Sequence, residues 1–188
     1  MSDEVAAYIA GFLDGDGSIM AQLVRRKDYK LGYQVRVSIV FYQKRNHNEI
    51  LFWLKEQLHY GYIRDRNDGM TEYTIVGLTE VEQILQLLQD KLRLKKRLAQ
   101  DVLKLIRSHP KKMTARKLIV LAGAADKTAE FNYSKKRTIT ALVVQAYLND
   151  NKLFPVETSD QSAVDSGWDL QLGAHKTLAP SPDICQEG

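Results

Sequence analysis

Asp14 and Asp16 are two carboxylates near the start of the chain, and their spacing is suited to a site that binds a cation. They close the segment Tyr-Ile-Ala-Gly-Phe-Leu-Asp-Gly-Asp-Gly at 8–17, which we interpret as a helix that ends in acidic residues. We expect the glycine after each aspartate to adopt a positive φ and stop the helix. A carboxylate at a helix C-terminus costs about 0.3–1 kcal/mol, because that end carries partial negative charge. Local rules are broken mainly at functional sites, and Mg²⁺, which prefers oxygen ligands, would relieve the repulsion.

The same helix carries a stripe of small residues, Ala7, Gly11 and Gly15. Residues four positions apart lie on one face of a helix, and a face without bulk lets a second helix approach closely. Tyr8 and Phe12 add apolar surface beside the stripe. We predict that a second helix packs on these five residues, which would crowd the carboxylates of the two helices together.

Apolar periodicity predicts an α+β domain with an antiparallel sheet. After a first helix capped by Ser2, strands are expected at 18–26 and 33–43, with a loop at 27–32. A second hairpin is expected at 61–66 and 71–76, around the Asn-Asp-Gly turn at 67–69. Further helices are predicted at 46–59, 79–89, 92–107, 114–129 and 138–149, and a capping box of Thr79 and Glu82 is expected to open the second of these.

The two faces of this sheet differ in composition. The inward face is predicted to pack on helices and holds Ile19, Ala21, Leu23, Val35, Val37, Ile39 and Phe41. The open face concentrates arginine with amides rather than balancing acids, and Arg and Gln can read guanine and adenine in the major groove of DNA. We therefore favour DNA contact over a merely solvated face. The predicted contact residues are Gln22, Val24, Arg26, Gln34, Arg36, Arg64, Arg66 and Thr74.

The motif and several later segments resemble the LAGLIDADG family of homing endonucleases, in the order of its single-motif, homodimeric members. The motif matches 9–17, and the other matches are Ser18-Ile19, Gln43-Lys44 and the runs 61–66 and 92–96. The resemblance covers residues 5–148 and implies an αββαββα core followed by C-terminal helices. It also implies an intron-encoded homodimer that cuts a long, pseudo-palindromic double-stranded DNA site across the minor groove, leaving short 3′ overhangs.

The resemblance assigns roles to individual positions. Asp16 corresponds to the metal-binding acid and the Gly15 carbonyl to a backbone ligand. Mg²⁺ is the expected ion, with Mn²⁺ or Ca²⁺ as other occupants. Lys95 matches the active-site lysine, and Gln43 matches a glutamine that orients solvent. For Asp14, a structural acid at a helix end and a direct metal ligand remain open alternatives.

One position departs from the family pattern. His47 stands where the family prototype carries an active-site arginine, and a neutral imidazole supplies less positive charge near pH 7. Lys44 or Arg45 are the alternatives for that role. The family's phosphate-contacting loop resembles the segment at 132–137. The phosphate contacts predicted from the resemblance and from charge are Lys96, Arg97, Ser134, Lys135 and Arg137.

We interpret the sequence as carrying one copy of the motif. Residues 118–126 superficially repeat the first motif, but no Gly-Asp-Gly and no alternating strand pair follow them, so we interpret them as a core helix. With one motif per chain, a paired active site requires a homodimer, and a two-fold dimer reads a roughly palindromic site.

Charge and composition bound the remaining possibilities. Residues 150–188 hold two of the 27 basic and seven of the 23 acidic residues, which leaves 25 basic and 16 acidic residues in 1–149, a formal +9. A basic body suits a polyanionic partner. One cysteine and four scattered histidines exclude a Cys-based zinc site. We expect a catalytic domain at 1–149 and a flexible acidic tail at 150–188. No membrane span or signal peptide is apparent, so we expect an intracellular location in an organelle (chloroplast or mitochondrion) or a microbial cytoplasm.

Two rival functions remain on the same fold. The first is an RNA-binding intron maturase, and the second is a DNA-binding regulator without catalytic activity. Asp16, Gln43 and Lys95 are all present, which favours an endonuclease over both rivals.

Overall fold

The fold is an antiparallel sheet with helices packed against one face. The computed structural model describes residues 1–131 and 137–154. The helices are α1 (Asp3–Asp16), α2 (Glu49–Leu58), α3 (Leu78–Leu88), α4 (Lys96–Arg107), α5 (Ala115–Lys127) and α6 (Ala141–Asp150), with 3₁₀ turns at Arg45–His47 and Thr128–Phe131. The strands are β1 (Gly17–Arg25), β2 (Tyr33–Lys44), β3 (Tyr62–Asp65) and β4 (Met70–Val76), in the spatial order β1-β2-β4-β3. This confirms the predicted α+β class and the αββαββα order.

The register of the sheet explains its two faces. Gly17 pairs with Phe41 at one end of the β1–β2 ladder, and Arg25 pairs with Tyr33 at the other. Alternate side chains therefore face the helices. All seven residues predicted to face inward are 6% exposed or less. Phe41 stacks on Tyr73 in the core, with ring centroids 5.8 Å apart, so the predicted inward face is confirmed.

Several predicted boundaries differ from the structure. The capping box at Thr79 and Glu82 is wrong, because α3 begins at Leu78 after Gly77 and has no side-chain cap. Residues 92–95 form a turn before α4 rather than its first turn. Arg26 and Arg66 lie beyond the ends of their strands rather than on the sheet.

The C-terminal helices extend the core. Val144 and Leu148 of α6 are fully buried, and Leu153 and Phe154 pack against the same core. No helix among residues 1–131 and 137–154 is long and apolar enough to cross a membrane. Ser134, Lys135 and the part of the predicted tail at 155–188 lie outside the described residues.

Candidate active site and nucleic-acid interface

The end of α1 interlocks with the turn that leads into α4. Asp14 Oδ2 accepts the backbone N–H groups of Arg93 at 2.6 Å and Leu94 at 3.2 Å, and Oδ1 accepts that of Lys95 at 3.0 Å. Successive N–H groups in a turn form an anion-binding concavity. Both oxygens of Asp14 are therefore occupied by backbone donors, which favours the structural alternative for this residue over a direct metal ligand.

Lys95 completes the interlock in the opposite direction. Its ammonium donates to the carbonyl of Leu13 at 3.0 Å and to the carbonyl of Asp14. These are carbonyls of the last helical turn, which lack partners within the helix, and a cation there also stabilises the helix dipole. Burial lowers the pKa of Lys95 below its ordinary value of 10.5, while the nearby charges of Asp14 and Asp16 oppose that shift.

Asp16, by contrast, is exposed at the last position of α1. Within the described residues no donor is bonded to its carboxylate. The chain then turns directly into β1 at Gly17, where an added Cβ would lie 2.6 Å from Leu13 Cδ1 and 2.9 Å from the Leu13 carbonyl oxygen. A glycine is therefore needed for the close approach of strand to helix. The structure thus presents one unencumbered carboxylate beside the occupied carboxylate of Asp14.

The expected role of the motif glycines is wrong. Gly15 is helical, and Gly17 has a φ of −109°. Positive φ occurs instead at Gly32, Gly61, Gly69 and Gly77. The helix ends because the chain enters the β-ladder, and no left-handed glycine is required there.

Gln43 and His47 lie on the chain that passes this end of the helix. Gln43 is two residues beyond Phe41, the ladder partner of Gly17, and its Oε1 accepts the Lys44 N–H at 3.1 Å. His47 is exposed on a 3₁₀ turn. Sheet register therefore brings Gln43 towards the motif, while both side chains keep polar atoms for a partner.

Arg45 already has hydrogen-bond and ion-pair partners within the chain. Its Nη2 donates to the Arg66 carbonyl at 2.6 Å, its Nε lies 3.4 Å from Asp65, and its N–H donates to Gly69. All three contacts lie on the β3–β4 hairpin. These contacts favour His47 or Lys44 over Arg45 for the role of the family arginine.

The outer face of the sheet is more balanced in charge than its sequence suggests. Glu72 lies on the same face as Arg64, is 8% exposed, and bonds the Arg64 guanidinium at 2.7 Å. Its other oxygen lies 3.5 Å from Arg66, which also pairs with Asp68 at 2.8 Å. The expectation of an arginine face without balancing acids is therefore wrong at this hairpin.

The remaining predicted contact residues divide into three kinds. Arg26 forms two bonds to Asp28, at 2.9 and 2.6 Å, and these lower the pKa of Asp28 to about 2. Thr74 is only 4% exposed, so its hydroxyl is covered in the free chain. The accessible members are the half-buried Gln22, Val24 and Gln34 and the exposed Arg36, and Gln22 pairs with Arg36 across the ladder.

Arg137 also lies differently from the prediction. Its Nη1 donates to the Ala125 carbonyl at 2.8 Å and lies 3.9 Å from Asp126, and its side chain is 18% exposed. Burial lowers the pKa of Arg137, and Asp126 opposes the shift. This guanidinium caps α5 within its own chain, which favours a structural role over the predicted phosphate contact.

A groove of about 1090 Å³ joins several of these residues. It runs from Asp14, Gly15 and Lys95 along the outer face of β1 past Gln22 and Val24, and reaches Arg137. Of the residues expected for catalysis, Lys95 therefore lines the same groove as Gln22 and Val24 of the predicted recognition face. No group of three or more His, Cys, Asp or Glu side chains able to hold a metal ion occurs among the residues that the structure describes.

The expected packing stripe on α1 is open. Ala7, Gly11 and Gly15 are exposed, and a Cβ added at either glycine meets no heavy atom within 4 Å. Tyr8 is 54% exposed and packs edge-on against Trp53 at 5.5 Å. Phe12 stacks on Phe41 at 6.0 Å, so it belongs partly to the core.

Two apolar features beside the stripe escaped the sequence analysis. Leu94, whose N–H bonds Asp14, is 81% exposed. An apolar cup of 450 Å³ is lined by Glu4, Val5, Tyr8, Ile50 and Trp53. For Leu94, the only sequence signal was an apolar residue inside a charged run. For the apolar cup, the only signal was an aromatic side chain on the outer half of a helical stripe.

Comparison with known protein families identifies the class to which this helix and sheet belong. The family model described as LAGLIDADG endonuclease matches residues 9–106, just over half of the chain, and the protein belongs to this family.

Two curated relatives are similar over most of their own length. The DNA endonuclease I-CvuI of Chlorella vulgaris is 42% identical over 135 residues, which cover 72% of this chain and 84% of that protein. The DNA endonuclease I-CreI of Chlamydomonas reinhardtii is 34% identical over 147 residues, or 78% and 90% of the two chains. A crystal structure of I-CvuI in complex with its target, in the presence of 2 mM Ca, superposes with a TM-score of 0.77 at 39% identity and covers 81% of this chain and 97% of that one.

Proposed function

We propose that this protein is a divalent-metal-dependent, sequence-specific endonuclease that cuts double-stranded DNA as a homodimer. The finer proposal is an intron-encoded homing enzyme with a long, pseudo-palindromic target and Mg²⁺ as its ion. The observation that carries the proposal is the pairing of an unencumbered Asp16 with an open Ala7–Gly11–Gly15 stripe on one helix. Related endonucleases over most of the chain, one of them crystallised with DNA and calcium, support it.

Two copies packed through α1 would bring two Asp16 carboxylates and two Gly15 carbonyls to the dimer axis. Carboxylate and carbonyl oxygens are the donors that Mg²⁺ prefers, so the residues present fit this ion. When bound, a divalent ion activates water and neutralises charge at the phosphodiester.

The other side chains then have limited tasks. Gln43 and His47 offer polar atoms that can hydrogen-bond a water beside the phosphate. Lys95 keeps the last carbonyls of α1 in place and supplies positive charge beside the phosphate. The outer face of β1 and β2 orients the duplex through Gln22, Gln34 and Arg36, in which amide and guanidinium groups match base edges.

The decisive experiment compares Asp16→Asn with wild type on a library of pseudo-palindromic DNA targets. Asp3→Asn is the matched control, because Asp3 lies on the same helix, and its side chain is 90% exposed. Wild type and Asp3→Asn should cut in Mg²⁺, and Asp16→Asn should bind the same sites without cutting. Parallel reactions in Mn²⁺ and Ca²⁺ test the identity of the ion.

Binding without cleavage by all three proteins would overturn the proposed enzyme and favour a regulator. Binding of the intron RNA without DNA cleavage would favour the maturase. A chloroplast, a mitochondrion or a microbial cytoplasm is the proposed setting, and each provides both DNA and Mg²⁺.

A further inference from the structure

Helix α6 contacts the β1–β2 hairpin through the aromatic side chain of Tyr147. Its ring meets Tyr33 edge-on, with centroids 5.2 Å apart and an interplanar angle of 82°. The Arg25 guanidinium carbon lies 5.8 Å from the centroid of the same ring. Arg25 and Tyr33 are the last pair of the β1–β2 ladder. Tyr147 therefore covers the point at which the hairpin loop leaves the sheet.

The loop itself is shaped to accept this ring. Gly32 has a φ of +70°, and a Cβ added there would lie 2.7 Å from Tyr147 Cζ and 2.8 Å from its hydroxyl. Glycine is thus required both for the backbone conformation and for the close approach. Gly32 also closes the loop, because its N–H donates to Tyr29 at 2.8 Å and its carbonyl accepts from Arg26 at 2.8 Å.

Helix α6 is itself fixed to the domain. Val144 and Leu148 are fully buried, and Asp126 accepts the Ala141 N–H at 2.7 Å at the first residue of the helix. Residues 25–30, by contrast, are all exposed. Tyr147 therefore connects an exposed loop to a helix that is anchored in the core.

The position of this loop indicates which part of a DNA target it reaches. Asp16 lies next to Gly17, at the end of β1 expected to approach the dimer axis, and Arg25 is eight residues further along the strand. At about 3.3 Å per residue, Arg25 lies roughly 26 Å from Gly17 along β1. Base pairs rise by about 3.4 Å each, so this span corresponds to about eight base pairs from the centre of the target.

We propose that Tyr147 is a positioning residue for base-pair selectivity in the outer part of each half-site, acting through Gly32 and Tyr33 on the 26–31 loop. This inference rests on the proposed DNA-cleaving function. Tyr147 itself needs no contact with DNA, because it contacts the loop from the side of α6. Loss of the ring would free the loop to adopt several positions, and side chains in several positions discriminate bases poorly.

The experiment profiles cleavage of single-base-pair target variants by wild type, Tyr147→Ala and Tyr147→Phe. A directly read position discriminates by about five- to 150-fold in wild type. We expect Tyr147→Ala to reduce discrimination at about the seventh to ninth base pairs to about twofold, with discrimination near the centre unchanged. Tyr147→Phe keeps the ring and should match wild type. Val81→Ala, a buried truncation in α3, tests whether lower stability alone changes the profile.

A second measurement needs no DNA. Amide hydrogen exchange at Arg26 and Gly32 should accelerate about tenfold or more in Tyr147→Ala and stay as in wild type in Tyr147→Phe and Val81→Ala. Two results would overturn the role of Tyr147. The first is a Tyr147→Ala protein with wild-type amide exchange at Arg26 and Gly32. The second is a Tyr147→Ala enzyme that still cuts and discriminates the outer base pairs as wild type does. Failure of wild type to cut any target would instead count against the proposed function, and the exchange result would still report on the loop.

Discussion

The Asp14 carboxylate and the Lys95 ammonium cap each other's chain segments. Asp14 accepts three consecutive N–H groups at 93–95, and Lys95 returns a hydrogen bond of 3.0 Å to the carbonyl of Leu13. An acid at the end of α1 is unfavourable for α1 itself, but it faces the N-terminal side of α4, where negative charge is favourable. The exchange fixes the last turn of α1 and thereby the place from which Asp16 projects.

Replacing Asp14 with alanine should lower the free energy of unfolding by about 1.5–3 kcal/mol, since charge-assisted bonds from three donors are lost. Urea unfolding at fixed protein concentration measures this. The control is Asp68→Ala, which removes an exposed carboxylate that accepts the Met70 N–H at 3.2 Å and pairs with Arg66. It should cost less stability than Asp14→Ala, because exposed ion pairs contribute little. Equal losses in the two variants would show that the 93–95 contacts contribute nothing special.

Lys95 should make stability depend on pH in the alkaline range. Burial lowers its pKa in the folded chain, while the unfolded value stays near 10.5. Between those two pKa values the unfolded chain binds more protons than the folded chain, so the free energy of unfolding rises with pH. Below the folded pKa the full cost of burying the charge is present.

The measurement is the difference in unfolding free energy between wild type and Lys95→Met at several pH values up to 10.5. The difference should shift in favour of wild type as pH rises through this window, whereas other lysines and tyrosines cancel. A constant difference would contradict the burial of the ammonium.

Replacing Gly11 with valine should weaken dimerisation at least about tenfold, because bulk in a close helix contact costs about 1–3 kcal/mol. Nothing within 4 Å opposes a Cβ at Gly11 in one copy, so the chain should keep its fold. Gly123→Val in α5 is the control, because that glycine is equally free of neighbours within 4 Å. Sedimentation equilibrium distinguishes the two variants, and a dimeric Gly11→Val protein would place the interface elsewhere.

Variants of Arg137 and Lys96 should distinguish a residue that stabilises the fold from one that binds phosphate. Arg137→Met should cost about 1–3 kcal/mol of stability, because the Ala125 carbonyl loses its donor. It should leave the slope of log K against log salt for DNA binding unchanged. Lys96→Met removes an exposed cation in the first turn of α4 and should reduce that slope by about 0.9 at little cost in stability. A reduced slope in Arg137→Met would restore it as a phosphate contact.

Patterns with a short period were predictable from the sequence alone. The alternation from Ile19 to Leu23 and from Val35 to Phe41 determines one buried face, because a strand turns alternate side chains to one side. The small-residue stripe and the motif's acids were equally visible, since spacing along a helix fixes which residues share a face. The order of elements and the fold class followed from these patterns, whereas the role predicted for Asp16 came from the resemblance to the LAGLIDADG family.

Only the tertiary structure determined which partners the charged side chains bind. Asp14 and the N–H groups at 93–95 are far apart in sequence, and so are Arg137 and the Ala125 carbonyl, and no periodic pattern brings such groups together. Glu72 meets Arg64 because antiparallel register places strands β3 and β4 side by side. The two acids of one motif read alike in sequence, yet only Asp16 stays exposed and unbonded, because burial and hydrogen bonding depend on elements that arrive from elsewhere in the chain.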